Sequence, residues 1–132
     1  MLNKVMLIGN LGRDPELKTI ASGVNFTEIS IATTENYKDK NNQKQSKTEW
    51  HHVVVWQKAA ENVCKYLRKG SKVYVEGKLT TKSWVDQNNV KHYKTEIIAT
   101  TVTFLNTLNQ NTEINKKVDE KSVDYDNDDL PF

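Results

Sequence analysis

Apolar residues in this chain fall into short runs whose period changes once. Lys4-Val5-Met6-Leu7-Ile8-Gly9-Asn10-Leu11 reads as a buried strand, with Gly9 and Gly12 marking a bend or bulge. Arg13-Asp14-Pro15-Glu16 and Ala21-Ser22-Gly23 are turns. Phe26 to Thr33 is a second strand with Ile29 and Ile31 on one face. Phe26 is out of phase with that pair, which predicts a bulge near Thr27. Tyr37 to Glu49 reads as a polar loop carrying Lys38, Lys40, Lys44 and Lys47. Trp50 to Trp56 is a third strand, and its parity separates His51, Val53 and Val55 from Trp50, His52, Val54 and Trp56.

The period then becomes helical. Ala59, Ala60, Val63, Tyr66 and Leu67 share a face over Gln57 to Arg68, and Gly70 stands where a helix would end. Lys72 to Leu79 is a fourth strand with Val73, Val75 and Leu79 inward. It continues through Trp84 to a hairpin closed near Asp86-Gln87-Asn88-Asn89, and His92 to Leu105 is the fifth strand. The fold class is therefore all-β with one short helix. Five strands with a helix between the third and fourth is the order of an OB-fold, a five-stranded Greek-key barrel, though other small barrels share it. Residues 106–124 are rich in Asn, Thr, Lys and Glu with no sustained apolar period, which predicts a disordered linker. The reading divides the chain into a barrel over 1–105, that linker, and an acidic tip over 125–132.

Charge sharpens this division. The net charge is only +2 over 132 residues. Residues 1–110 carry 16 Lys and Arg against 10 Asp and Glu, whereas residues 111–132 carry 3 against 7. A basic body suggests a polyanionic partner, and an acidic end suggests a separate role. The hydrophobic fraction of 36% supplies one modest core. A single cysteine, Cys64, excludes an internal disulfide framework and suits a reducing compartment. No apolar run approaches the roughly 20 residues of a membrane-spanning helix. The alternating stretch from Met1 to Gly12 reads as a strand and not as a signal peptide.

Catalytic candidates are few. Adjacent His51 and His52 in a strand point to opposite faces and cannot chelate one metal, and no zinc spacing involves Cys64 or His92. No Gly-rich phosphate loop or nucleophile motif is present. The expectation is a binding protein with no enzyme activity, cofactor or metal. Single-stranded nucleic acid needs cations for its phosphates and aromatic platforms for its bases. Trp84 shares strand parity with Lys78 and Lys82, opposite Val73, Val75 and Leu79. Trp50 and Trp56 share the face opposite Val53 and Val55, and Tyr37 opens the lysine-rich segment. A tryptophan on a strand more often belongs to a core, and Trp56, where strand meets helix, stays closest to that reading. Tyr66, Tyr74 and Tyr93 read as packing or interface residues. The loop lysines are open to reading as a solvated surface. Lys4, Arg68, Lys69 and Lys72 are equally open between phosphate contact and plain surface.

The chain ends Tyr125-Asp126-Asn127-Asp128-Asp129-Leu130-Pro131-Phe132. Asp126, Asp128 and Asp129 fit a solubilising tail, but Leu130 and Phe132, placed around Pro131, do not. Together they offer an apolar, basic-rimmed pocket an aromatic ring, a terminal carboxylate and flanking charge.

These residues resemble the bacterial-type single-stranded DNA-binding proteins. The matching stretches run from Asn3 to Glu16, Thr48-Glu49-Trp50-His51 with Val53-Val54, Tyr66-Leu67-Arg68-Lys69-Gly70, Val73-Tyr74-Val75-Glu76-Gly77, and Asp128 to Phe132. The resemblance implies an OB-fold homotetramer that wraps single-stranded DNA without sequence preference. It implies base stacking at Trp50, Trp84, Tyr37 and Trp56, and phosphate contacts at Lys4, Lys58, Arg68, Lys69 and Lys82. It implies that the tip docks replication, recombination and repair proteins, and that the protein is cytoplasmic and nucleoid-associated. Thr80 and Ser83 stand where cations are common in the family, and Thr19 where an aromatic is. The linker lacks Gly and Pro, and 19 flexible residues would span about 25 Å. Two other readings are an adaptor subunit of a primosome-like assembly, against which the tip argues, and an OB domain for RNA or oligosaccharide.

Overall fold

The structure, a computed structural model, describes residues 1–106. In chain order the elements are β1 (Val5–Leu11), β2 (Lys18–Thr19), β3 (Asn25–Lys38), β4 (Lys44–Trp56), α1 (Gln57–Tyr66), β5 (Lys72–Val85) and β6 (Lys91–Asn106). The sheet runs β1-β5-β6-β4-β3-β2, and β1 also pairs with β3. That last pairing closes five long strands into a barrel, with α1 between the third and fourth of them. The OB-type architecture is thus the observed one. Asn106 ends β6 instead of starting the linker; the rest of the predicted linker and the acidic tip lie outside the described residues.

β1 closes the barrel by serving two neighbours. It pairs with β5 from Val5 to Asn10 and turns onto β3 at Asn10 and Leu11. The bend falls at Gly9, where a Cβ would lie 2.3 Å from the backbone oxygen of Ala32, so the close strand approach needs glycine. Leu11 N donates to Ser71 O at 2.9 Å and Gly70 N donates to Leu11 O at 2.8 Å, tying the chain after α1 to the end of β1.

The core contains Leu11, Ile29, Ile31, Val53, Val55, Ala60, Val63, Leu67, Val73, Val75 and Ile97. It draws on all five long strands and on α1, which lies over one end. Each fully buried Val, Leu or Ile contributes about 1.5–3 kcal/mol, so this cluster is the main stabilising term.

Several expectations are corrected. No bulge occurs near Thr27: β3 and β4 stay in register from Phe26↔Trp56 to Lys38↔Lys44. Thr27 itself is the inward residue in phase with Ile29. It is buried because its hydroxyl donates to Glu16 O at 2.8 Å. Phe26 instead faces outward and packs on Trp56. The register shifts occur between β5 and β6, at Lys72/Val73 and Glu76/Gly77.

The segment from Tyr37 to Glu49 is not a loop. β3 and β4 continue as a paired ribbon as far as a turn at Asp39–Gln43. Asp39 Oδ1 accepts from Asn41 N and Gln43 N, both at 2.9 Å. The ribbon is solvated on both sides, so it carries no apolar alternation to reveal it. Leu79 is 49% exposed and not inward, because β5 and β6 beyond Gly77 also leave the barrel as a ribbon. α1 stops at Tyr66, earlier than Arg68.

Candidate nucleic-acid interface

Four adjacent strands bring one outward face together. From β5 come Thr80, Lys82 and Trp84, which pair with Glu96, Lys94 and His92 of β6. From β4 come Trp50, His52, Val54 and Trp56, and from β3 Phe26, Glu28 and Ser30. Lys18 of β2 pairs with Phe26 and borders the far side. Alternation places all these side chains opposite the core residues of their own strands.

Trp50 is 61% exposed. Its cross-strand partner is Ala32, too small to cover it. Its ring lies over Gly12, where a Cβ would stand 2.3 Å from the ring edge. The backbone thus supports one side of the ring. Trp84, 49% exposed, is supported differently. The His92 ring stacks on it with centroids 5.5 Å apart and planes at 23°. His92 Nε2 is held 2.6 Å from Asp86 Oδ2, and Asp86 Oδ1 accepts from Asn88 N and Val90 N at 2.8 and 3.0 Å. Those bonds, His92 first, hold the Asp86 carboxyl below its ordinary pKa. One aspartate therefore shapes the β5–β6 turn and fixes the ring behind Trp84.

Trp56 shares the face of Trp50 but is half-buried, its ring 5.1 Å from that of Phe26. Tyr37 is 48% exposed. It pairs with Gln45 on the opposite parity from Trp50 and so stands on the other side of the β3–β4 ribbon. The four predicted platforms are therefore two exposed tryptophans on one face, one packed tryptophan beside them, and a tyrosine across the ribbon.

The predicted cations differ as much. Lys82 is on the tryptophan face, with Nζ 2.8 Å from Glu96 Oε1. Lys4, just before β1, pairs with Glu76 at 3.3 Å, and Glu76 also accepts the Tyr74 hydroxyl. Lys58 on α1 pairs with Glu61 at 3.6 Å. Arg68 directs Nη1 to Cys64 O and Leu67 O at 2.9 and 2.7 Å, so its guanidinium caps the end of α1. Lys69 is exposed, and its backbone N–H donates to Asp14 Oδ1 at 2.7 Å.

His51 and His52 do point apart. His51 Nε2 lies 2.8 Å from the Thr33 hydroxyl. His52 faces Glu28 and Glu96 on the tryptophan side. Burial lowers the His52 pKa and Lys94 adds to this, against the pull of Glu28 and Glu96. Burial pushes the Glu28 carboxyl up, but Lys18, His52 and Lys94 outweigh it and hold it below its ordinary value. Sequence reasoning missed Glu28, Lys94 and Glu96 here. Their strand parity was legible for Glu28, but the β4–β6 pairing that brings Glu96 to His52 is parallel and long-range.

Three comparisons bear on this arrangement. Residues 2–105 match the model of the single-strand binding protein family. A curated relative, single-stranded DNA-binding protein 1 of Chlorobaculum tepidum, is 48% identical over 105 residues. The match takes in 79% of this chain and 65% of that relative, just under two-thirds of its length. The solved structure of the Plasmodium falciparum SSB complex with ssDNA superposes with a TM-score of 0.73 at 41% identity. It covers 80% of this chain and 97% of that one. With the closed barrel and the paired exposed tryptophans already in place, these matches establish that the chain belongs to the single-strand binding protein family.

Proposed function

We propose that this protein binds single-stranded DNA without sequence preference through the face formed by β5, β6, β4 and β3. The observation that carries the reading is the pair of exposed tryptophans, Trp50 and Trp84, each propped from one side and standing among Lys82 and Lys94. Bases stack on the open ring faces and the phosphates run past the lysines. Each stacked base contributes roughly 1–3 kcal/mol, and phosphate contacts add a salt-dependent term. Family membership makes the chain a binding protein and not an enzyme. A relative named for single-stranded DNA and a solved complex of a similar chain with ssDNA support the ligand class.

The finer parts of the proposal rest on the family resemblance and the sequence. The protein protects strands exposed in replication, recombination and repair, acts in the cytoplasm at the nucleoid, and assembles as a homotetramer. The tip, through Asp126, Asp128, Asp129, Leu130, Pro131 and Phe132, recruits partner enzymes. Tyr37, Trp56, Lys4, Lys58, Arg68 and Lys69 serve as further strand contacts, with Arg68 having to leave its helix-end carbonyls to do so.

Titration with oligo-dT tests the central claim. Tryptophan fluorescence is expected to quench saturably at low salt, with affinity falling as salt rises. No quenching at low salt would overturn it. Light scattering on the same samples reads the subunit count.

A further inference from the structure

Glu28, His52 and Glu96 reach the centre of the tryptophan face from β3, β4 and β6. His52 Nε2 lies 3.8 Å from Glu28 Oε1 and 3.7 Å from Glu96 Oε2. Both separations are too long for hydrogen bonds. The Nε2 atom is nonetheless buried and has no hydrogen-bond partner among the described residues. Glu96 is only 2% exposed, and its Oε1 likewise makes no hydrogen bond to any described residue. Lys82 Nζ comes within 2.8 Å of that oxygen, a charge contact outside the directions of a hydrogen bond. A buried carboxylate and a buried ring nitrogen left this way are costly unless a further group satisfies them.

The spacing indicates which group. Imidazole and carboxylate ligands of one zinc ion sit about 2.0–2.2 Å from it, which puts them roughly 3.4 Å apart in a tetrahedron. One ligand atom from each of the three residues already lies within 4.8 Å of the other two. Those separations exceed the tetrahedral spacing by at most about 1.4 Å. We propose that Glu28, His52 and Glu96 form a binding site for a divalent transition-metal ion, with zinc the best match to one imidazole and two carboxylates. The fourth position is left to solvent or to a strand phosphate.

The location gives the ion a role that rests on the strand-binding reading. A metal on Glu96 takes over the charge now supplied by Lys82, and the ammonium is released toward a bound phosphate. Metal and strand then favour each other, and the coupling is reciprocal. The same three residues without metal place two carboxylates in the path of a polyanion.

The test uses the full chain, without DNA first. Zinc is titrated calorimetrically, and cobalt(II) is titrated by its visible absorption. One saturable zinc per chain is expected, with affinity at least tenfold weaker in His52→Ala and, separately, in Glu28→Gln, and retained in His51→Ala. Each variant is melted to establish that it folds; if His52→Ala does not, Glu28→Gln decides. The His52 Nε2 resonance is expected to shift on zinc addition, a readout that a purely structural role does not move. Absence of saturable binding, or equal binding in the folded variants, overturns the site. Oligo-dT affinity at low salt is then measured with and without zinc, and a severalfold rise is expected in the wild-type chain alone. Zinc binding with unchanged oligo-dT affinity overturns the coupling. No zinc binding with intact quenching overturns the site and leaves the strand-binding reading standing.

Discussion

Trp50 and Trp56 lie on the same strand, on the same face, six residues apart, yet their environments differ. Trp50 is paired with Ala32 and stays open; Trp56 is paired with Phe26 and packs on it. Strand parity made the two equivalent, and the residue across the ladder separated them. A methyl group cannot shield an indole, whereas a phenyl ring can, and aromatic cross-strand pairs are themselves stabilising. The open tryptophan also sits over a glycine, while the packed one precedes α1 directly. Exposure of a tryptophan on this face is thus controlled by its neighbours more than by its own position.

That contrast can be broken most strongly at the open end. Replacing Trp50 and Trp84 together by alanine should weaken oligo-dT binding by roughly 2–6 kcal/mol if the two losses add, with the melting temperature nearly unchanged. Fluorescence anisotropy of a labelled oligonucleotide reads the first quantity and circular dichroism the second. Trp56→Ala should show the reverse. Unfolding free energy should fall by about 2–4 kcal/mol, since the ring is partly buried against Phe26, while oligo-dT affinity drops less than in Trp50→Ala. An affinity loss equal to that of Trp50→Ala would put Trp56 among the platforms.

Gly12→Ala asks whether the prop matters. The new methyl would stand 2.3 Å from the Trp50 ring, so the ring must swing away. Oligo-dT affinity should fall, by less than in Trp50→Ala, and the tryptophan emission should change. An unaltered spectrum and affinity would mean that the ring is not held there.

The smallest effect concerns His52. Its folded pKa is lowered, so the unfolded state binds the proton more readily. The stability this group contributes is therefore complete above the unfolded value near 6.5 and is lost as pH falls through the lower folded value. Denaturant midpoints measured from pH 7.5 to 5 should decline less in His52→Gln than in the unsubstituted chain. Burial is the largest cause of the lowering, and of the charges facing His52, Lys94 and Arg13 add to it while Glu28 and Glu96 oppose it, so the difference should persist at high salt.

Much of this protein was legible in its sequence. The switch from strand to helical period between Trp56 and Gln57, the inward Ile29, Ile31, Val53, Val55, Val73 and Val75, and the shared parity of Lys82 and Trp84 follow from local geometry. Such patterns survive in any fold that buries one face. The arm from Tyr37 to Glu49 escaped because a ribbon with both sides in water leaves no apolar alternation. Leu79 was misplaced because parity says which side a residue takes and not where the barrel ends. The side of the ribbon taken by Tyr37, the helix-capping of Arg68 and the pairing that sets Glu96 beside His52 were decided only in three dimensions. Each depends on contacts between segments distant in the chain, which local periodicity does not encode. The two exposed tryptophans stand between these cases: the sequence placed them on solvent-facing positions, and Ala32, Gly12 and His92, supplied by other segments, left each ring open on one side and backed on the other.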